Sequence, residues 1–443
     1  MVDVNKVKDF LEQDKINRIK PIIKQNEDDD LVRIIDQLDN KNKIKFYLLI
    51  PTRRASNVLL DVSTHSRKII LKGLKNKYVV SIIEKSESDD SADILGEISE
   101  HNARKIIQEL PEEKKEAIVP LIKYEEDTAG GLMKSELLSI KGSLKVKEAI
   151  NILKKDDLAD VNYIYVVDSE DKLKGVVTLN DLITATSDKK ISSIMNKDIV
   201  TLNPNLDKED VAEIFRQEDI MALPVVDDKG KLLGRVTVDD VLDVLQEEAT
   251  EDLYKLAGVN PDEHIFDPLF SSIKKRLPWL MINLVTAFIA AFTVSLFKDT
   301  LQTVIILAAF MPMIAGIGGN SGTQTLTLIV RGLALNQLTP GSYKKIVFKE
   351  IFVGVLNGII LGTIVGTIAS IWQQNIMLGV VILLAMTIST TLAGFIATSV
   401  PLIFKSMKID PAIASSVFIT ASIDIIGFFS FLGIATLLLG SLV

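Results

Sequence analysis

The 443-residue chain contains no cysteine. That single absence excludes disulfides, thiolate zinc sites, iron–sulfur clusters and CxxC redox chemistry. Histidine is nearly as scarce: His65, His101 and His264 show no HxxxH or HExxH spacing, so no pattern for a resident transition-metal site is present. Long basic runs and basic–aromatic stripes are missing and the net charge is −8, which argues against nucleic acid as a partner. The nucleophile, base and cofactor signatures of an enzyme are also absent. The opening MVDVNKVKDFLEQDK is charged throughout and has no apolar signal-peptide core; the first part of the chain is expected to stay in the cytoplasm.

Long apolar runs are lacking before Arg276 and abundant after it, a division hidden by the average of 47% hydrophobic and 24% charged residues. Five apolar segments follow, at 277–297, 301–335, 346–372, 377–404 and 412–443. Each is long enough for the ~20 residues a spanning helix needs. The second overshoots a ~30 Å hydrocarbon core at ~1.5 Å per residue, and Pro312 with Gly316, Gly318 and Gly319 predicts a break or kink in it. Lys274, Lys275, Arg276, Arg331, Lys344, Lys345, Lys349, Lys405 and Lys408 mark one side of the membrane, against Lys298 on the other. By the positive-inside rule this predicts a multi-pass plasma-membrane protein with its N-terminus cytoplasmic and its C-terminus outside.

Polarity inside these segments is concentrated. The stretch AGIGGNSGTQTLTL, 315–328, places Asn320 and Gln324 four residues apart beside Gly318 and Gly319. In the third segment Gly354, Gly358, Gly362 and Gly366 form one helical stripe, read as close helix packing. Asp424 is the only carboxylate well inside the fifth segment, with Thr420 a turn earlier on the same face. A carboxylate in hydrocarbon costs several kcal/mol unless paired, protonated or facing water. No basic residue lies deep enough to pair with it, which leaves an ion pathway or a protonated Asp bonding a neighbouring helix. Glu350, Asp299 and Asp410 sit near segment ends, where solvation is expected.

The soluble part carries a repeat. YIYVVDSEDKLKGVVTLNDLI from Tyr163 aligns without gaps on ALPVVDDKGKLLGRVTVDDVL from Ala222. Each copy reads as strand, turn, strand through Gly175 or Gly234, and a Thr-x-x-Asp helix start, Thr178 to Asp181 and Thr237 to Asp240. Before it, residues 32–110 read as short amphipathic helices stacked in a solenoid. Acidic residues recur: Asp89 and Asp93 share one helical face, and Asp240, Asp243, Glu247 and Glu251 lie on one stripe. Such stripes serve as solvated faces or as surfaces that a hard dication bridges through water.

The repeat resembles a pair of CBS domains, regulatory modules that often hold adenine nucleotides; that resemblance makes ATP a candidate ligand near Thr178 and Asp181, which equally serve as a helix start. Together with YEEDTAGGLM (124–133), PMIAGIGGNSGTQTLTLIVRGLAL (312–335) and DPAIAS ahead of Asp424, the chain resembles the MgtE family of magnesium channels and transporters over nearly its whole length. The resemblance implies a multidomain membrane protein: an all-α helical-repeat N domain (1–130), an α/β CBS pair (131–190 and 191–245), a connecting helix (246–276) and an all-α transmembrane domain of five helices (277–443). It implies a homodimer in the lipid bilayer, with Asp424 and Thr420 at the pore and Asn320, Gln324, Gly318 and Gly319 shaping it. Regulatory Mg2+ would bind Asp89 and Asp93 of the N domain, Glu209, Asp219, Asp240 and Asp243 of the CBS pair, and Glu248, Glu251 and Asp252 of the connecting helix. Two departures stand out: Ser415-Ser416-Val417 replaces the family's usual Gly or Asn followed by Pro, and the early helical domain is basic at PTRRASN, where no acidic gating residue is evident. The reading is a magnesium channel closed by cytoplasmic Mg2+. Alternatives are a broader pathway for Co2+ or Mn2+, or a membrane-anchored nucleotide sensor that conducts nothing.

Overall fold

The architecture is that of a computed structural model, which describes residues 3–154, 163–218, 220–414 and 416–442. The chain divides into two compact units, Met1–Glu248 and Ala249–Val443.

In the first unit ten helices of seven to ten residues run from Val4–Glu12 to Glu112–Ile118. Helices this short are marginal in water alone, so a shared apolar seam must hold them. Leu31, Ile34 and Ile35 on one helix, Ala55, Val58 and Leu59 on another and Val79, Ile82 and Ile83 on a third are buried in one cluster. Alternate helices pack on each other: Asp28–Gln37 on Thr52–Asp61, and Asn76–Ile83 on Glu100–Glu109. This is the expected solenoid, longer than the sequence pattern suggested. Side chains of Asp3, Asp39 and Ser63 cap helix starts.

The repeat then forms two small sheets. Ser139–Lys141 pairs in parallel with Tyr163–Val167, which pairs antiparallel with Leu173–Thr178; Ala222–Val226 pairs antiparallel with Leu232–Thr237. Both hairpins shift register at equivalent places, Val166/Val167 and Val225/Val226. Their turns are set by the same device. Asp168 accepts from the backbone N–H of Glu170 and Lys172, and Asp227 from Lys229 and Lys231, at 2.8–3.0 Å. Left-handed residues follow at Asp171 (φ 58) and Gly230 (φ 77). The copies exchange hydrogen bonds, Leu173 N–H to Gly230 O and Leu232 N–H to Asp171 O, as two modules around a pseudo-twofold axis. Gly234 lets the backbone of Lys134 approach, and Lys134 exchanges both backbone hydrogen bonds with Arg235.

Residues 246–276, anticipated as one connecting helix, are divided. The helix Val238–Ala257 ends at Gly258 (φ 68), where Val259 N–H reaches back to Tyr254 O. A loop follows, and Lys274, Lys275 and Arg276 already belong to the helix Leu269–Ser295.

Among the described residues of the second unit, four helices are long and apolar enough to cross a bilayer: Leu269–Ser295, Pro340–Gln373, Ile376–Ser406 and Val417–Leu437. A further 28-residue helix, Leu307–Ala334, carries the glycine- and hydroxyl-rich stretch. Of the break or kink expected at Pro312 and the glycines, a break is absent, and the interruption falls at 304–306, after the short helix Lys298–Thr303. Packing explains the correction. A Cβ on Gly318 would strike Ser389 and Ile423, one on Gly319 the Thr420 methyl, one on Gly322 Ile423 and Ile419. The absent side chains let neighbouring helices come close, and that contact outweighs the glycine penalty within the helix. The stripe Gly354, Gly358, Gly362 and Gly366 likewise seats against Thr390, Thr387, Leu383 and Gly379 of Ile376–Ser406.

Candidate functional sites

Asp424 lies on the helix Ser416–Leu437. Its Oδ1 is buried and, among the described residues, has no hydrogen-bond partner. Thr420, one turn earlier, packs on Gly319. Ser389 supplies a second orphan: its Oγ is buried without a partner and sits against Gly318 and Gly427, the latter one turn beyond Asp424. Ser389 thus offers an unmet hydroxyl where three helices meet, and the helix Ser416–Leu437 carries the unmet Asp424 oxygen. Burial of an unmet carboxylate oxygen is costly, and water or a hydrated cation is the partner that would offset it. Ser389 escaped the sequence reading because hydroxyls in TISTT look alike; only the partnerless one stands out.

Asn320 and Gln324 are exposed on the helix Leu307–Ala334, on a stripe with Gly316 and Thr327 opposite the buried Gly318, Gly322 and Leu326. With the helix unbroken, no freed backbone groups await their amides. Glu350, expected to be solvated, is buried: Thr325 Oγ1 donates to its Oε2 at 3.3 Å and Lys349 Nζ lies 3.0 Å from its Oε1. Close approach at Gly394 against the Glu350 carbonyl encloses it. Asp410 is paired with Lys255 Nζ at 2.7 Å, and Lys255 also contacts Glu251.

In the first unit the acidic residues fall into distinct neighbourhoods. Asp89 is 7% exposed and its Oδ1 has no partner among the described residues. Burial first, offset in part by Lys134, pushes its carboxyl up to about 8. Asp93 stands with Glu126, Asp90, Arg67 and Glu97, and burial followed by these neighbouring carboxylates raises it to about 7; Asp90, half-buried and beside Glu87, rises to about 6. Thr237 donates to Asp240 at 2.6 Å. Asp243 is exposed on the same helix and faces Asp61. Asp61 is the N-domain acid that the sequence did not reveal. Burial and the charges of Asp29, Asp243 and Asp28 raise its carboxyl. The basic stretch beside it is structural: Arg54 pairs with Asp28 at 2.5 Å and donates to the carbonyls of Ile23 and Asn26. Glu209 is exposed on the first turn of Lys208–Glu218, Glu248 pairs with Lys208 at 3.1 Å, and Asp252 lies within Val238–Ala257. Asp219 lies outside the described residues, as does Ser415.

Among the described residues no group of three or more His, Asp or Glu side chains is gathered to hold a bare metal ion. Magnesium that keeps its water shell needs no such cage, because carboxylates reach it through water. Thr178 and Asp181 satisfy each other in a capping box, with Thr178 Oγ1 to Asp181 Oδ2 at 2.7 Å and Asp181 N–H to Thr178 Oγ1 at 3.1 Å.

Family profiles match in the same chain order: the MgtE intracellular N domain at residues 26–127, CBS domains at 129–188 and 191–247, and the MgtE divalent cation transporter domain at 311–434. The chain is 31% identical to the magnesium transporter MgtE of Thermus thermophilus over 417 residues, covering 93% of this chain and 92% of the relative. With the magnesium transporter MgtE of Enterococcus faecalis it shares 36% identity over 322 residues, 72% of this chain and 71% of that one. The solved cytosolic domain of the Mg2+ channel MgtE in complex with ATP superposes with a TM-score of 0.50 at 32% identity, covering 55% of this chain and all of that domain. Domain order, full-length identity and the shared fold agree: the chain belongs to the MgtE family of divalent cation transporters.

Proposed function

We propose that the protein is a magnesium channel of the plasma membrane, a homodimer with five spans per subunit, the N-terminus cytoplasmic and the C-terminus outside. The helix Leu307–Ala334, second in chain order, completes the five. Its exposed polar stripe of Asn320 and Gln324 faces the water-filled pore rather than lipid, and Gly318 and Gly319 bring it against the helix of Asp424 and Thr420. The first apolar helix buries only 6% of its most apolar window within the chain, against 50% for Ile376–Ser406, which leaves a surface for lipid and for the second subunit. The reading rests above all on Asp424, a carboxylate with a partnerless buried oxygen in an otherwise apolar span. Magnesium sheds water reluctantly, so this carboxylate meets the hydrated ion, holding it firmly enough to select and loosely enough to release.

Cytoplasmic Mg2+ closes the pore by bridging the acidic neighbourhoods: Asp89 and Asp93 with Asp61 in the N domain, Glu209, Asp219, Asp240 and Asp243 in the CBS pair, and Glu248, Glu251 and Asp252 along Val238–Ala257. ATP binding to the CBS pair near Thr178 and Asp181 has the ATP-bound relative as its support. The decisive experiment is magnesium-dependent growth rescue and magnesium current for wild type and Asp424→Ala. Loss of both is expected, and normal conduction by the variant would end the pore assignment.

A further inference from the structure

Lysine is rarely buried, and when it is, its ammonium must be paired. Lys134 is 5% exposed. Its Nζ lies 2.6 Å from Glu87 Oε2, 2.9 Å from Asp240 Oδ1 and 3.6 Å from Asp239 Oδ2. These acids come from different parts of the first unit: Glu87 precedes the helix Ser88–Gly96, whereas Asp239 and Asp240 open the helix Val238–Ala257. The backbone of Lys134 is fixed by its two hydrogen bonds to Arg235, so the ammonium is aimed rather than free to wander. The same contact is reinforced beside it, where Ser88 Oγ donates to Glu136 at 2.6 Å and accepts from Ser135 N–H at 2.9 Å. Lys208 repeats the arrangement. Its Nζ lies 2.6 Å from Asp127 and 3.1 Å from Glu248, and its N–H donates to Asp127 O at 3.0 Å. It thereby joins the segment after the solenoid to the middle of the helix Val238–Ala257.

We propose that Lys134 and Lys208 act as built-in counter-cations that hold the solenoid, the joint and the CBS pair together without a dication, leaving divalent control to the carboxylates outside their reach, chiefly Asp61 and Asp243. The physics favours it. Three acidic side chains converging on one point repel each other, and a cation between them removes that repulsion whether it arrives from solution or is carried on the chain. An ammonium offers three donors on a flexible stem and is a compact point charge, close in electrostatic role to a hydrated ion. Around Lys134 three carboxylates face one ammonium, so the clamp it forms is incomplete. The expected result is a clamp that is partly closed at all cation concentrations and tightened by magnesium. This rests on the reading of the acidic neighbourhoods as sensory.

The test uses the full chain in detergent. Since it has no cysteine, Lys105→Cys and Lys229→Cys, both exposed, place two fluorophores on the solenoid and the CBS pair for distance measurement in EDTA and during magnesium titration. The labelled parent should stay compact in EDTA. Adding Lys134→Met and Lys208→Met should open it in EDTA and raise the magnesium midpoint for closure at least about tenfold, the loss of roughly one favourable charge contact. Lys134→Arg should behave as the parent. An open parent in EDTA, or a double variant as compact there as the parent, overturns the proposal. If the double variant opens in EDTA and magnesium never closes it, the lysine clamp stands and the sensory reading falls. Should the double variant unfold in EDTA, refolding on adding magnesium supports the proposal; unfolding in both conditions counts against it.

Discussion

The lysine-held acids of the first unit and Asp424 of the second are placed in opposite ways. In the first, Glu87, Asp127, Asp240 and Glu248 converge on Lys134 and Lys208. In the second, Asp424 keeps an orphan oxygen with no cation near it among the described residues. A paired acid is a strut, since its charge is already spoken for. An unpaired one in an apolar setting is a demand for a mobile partner, and destabilises the fold unless that partner is water or an ion. Glu350 separates the two cases within the membrane unit: it is more deeply buried than Asp424, yet bonded by Thr325 and Lys349.

The sharpest way to break this comparison is to remove the two membrane acids in turn. Asp424→Asn keeps the shape and removes the charge; at an effective dielectric near 20 one charge at ~4 Å is worth about 4 kcal/mol, so magnesium current should fall by roughly a hundredfold or more. Glu350→Gln should leave current within a few-fold of wild type and instead lower the melting temperature, because the buried Thr325 and the exposed Lys349 lose their charged acceptor. Equal loss of current in both would show that burial, not the missing partner, marks the pore acid.

A smaller effect is expected with pH in the first unit. Burial raises Asp90 to about 6, Asp93 to about 7 and Asp89 to about 8 from an ordinary 3.8. A raised carboxyl binds its proton more tightly in the folded state, so its unfavourable contribution is absent below pH 4 and grows as pH climbs through the folded value. In EDTA the melting temperature should therefore fall from pH 5 to pH 8.5. Magnesium should flatten that slope, because it binds the deprotonated carboxylates and releases their protons. A melting temperature that rises over that range in EDTA would contradict the burial of these acids.

What was legible in the sequence was local in origin. The aligned hairpins and the glycine stripe are patterns within one segment, and each took the expected place. Long-range facts were not legible. Lys134 looks like any surface lysine until its backbone bridge to Arg235 holds it between Glu87 and Asp240. Asp61 shows nothing in LLDV to mark it, and becomes notable only when Asp29 and Asp243 come near. The mistaken break at Pro312 has a related cause: helix-breaking tendencies were read without the tight packing that Gly318, Gly319 and Gly322 make possible. Local propensity loses wherever tertiary contact is dense.

The smallest effect tests a polar pair that is already satisfied. Thr178 and Asp181 bond each other at the start of the helix Leu179–Thr184, so Thr178→Ala should cost about 1 kcal/mol, the usual worth of an N-cap. That is a shift of a few degrees in melting temperature for a unit of this size. Magnesium current should not change, because the pair lies in neither the lysine-held clusters nor the membrane unit. ATP separates the two roles of Thr178. If the hydroxyl only caps the helix, stabilisation by saturating ATP will be equal in wild type and variant; if it also meets a ribose, the variant will lose that stabilisation as well as the cap.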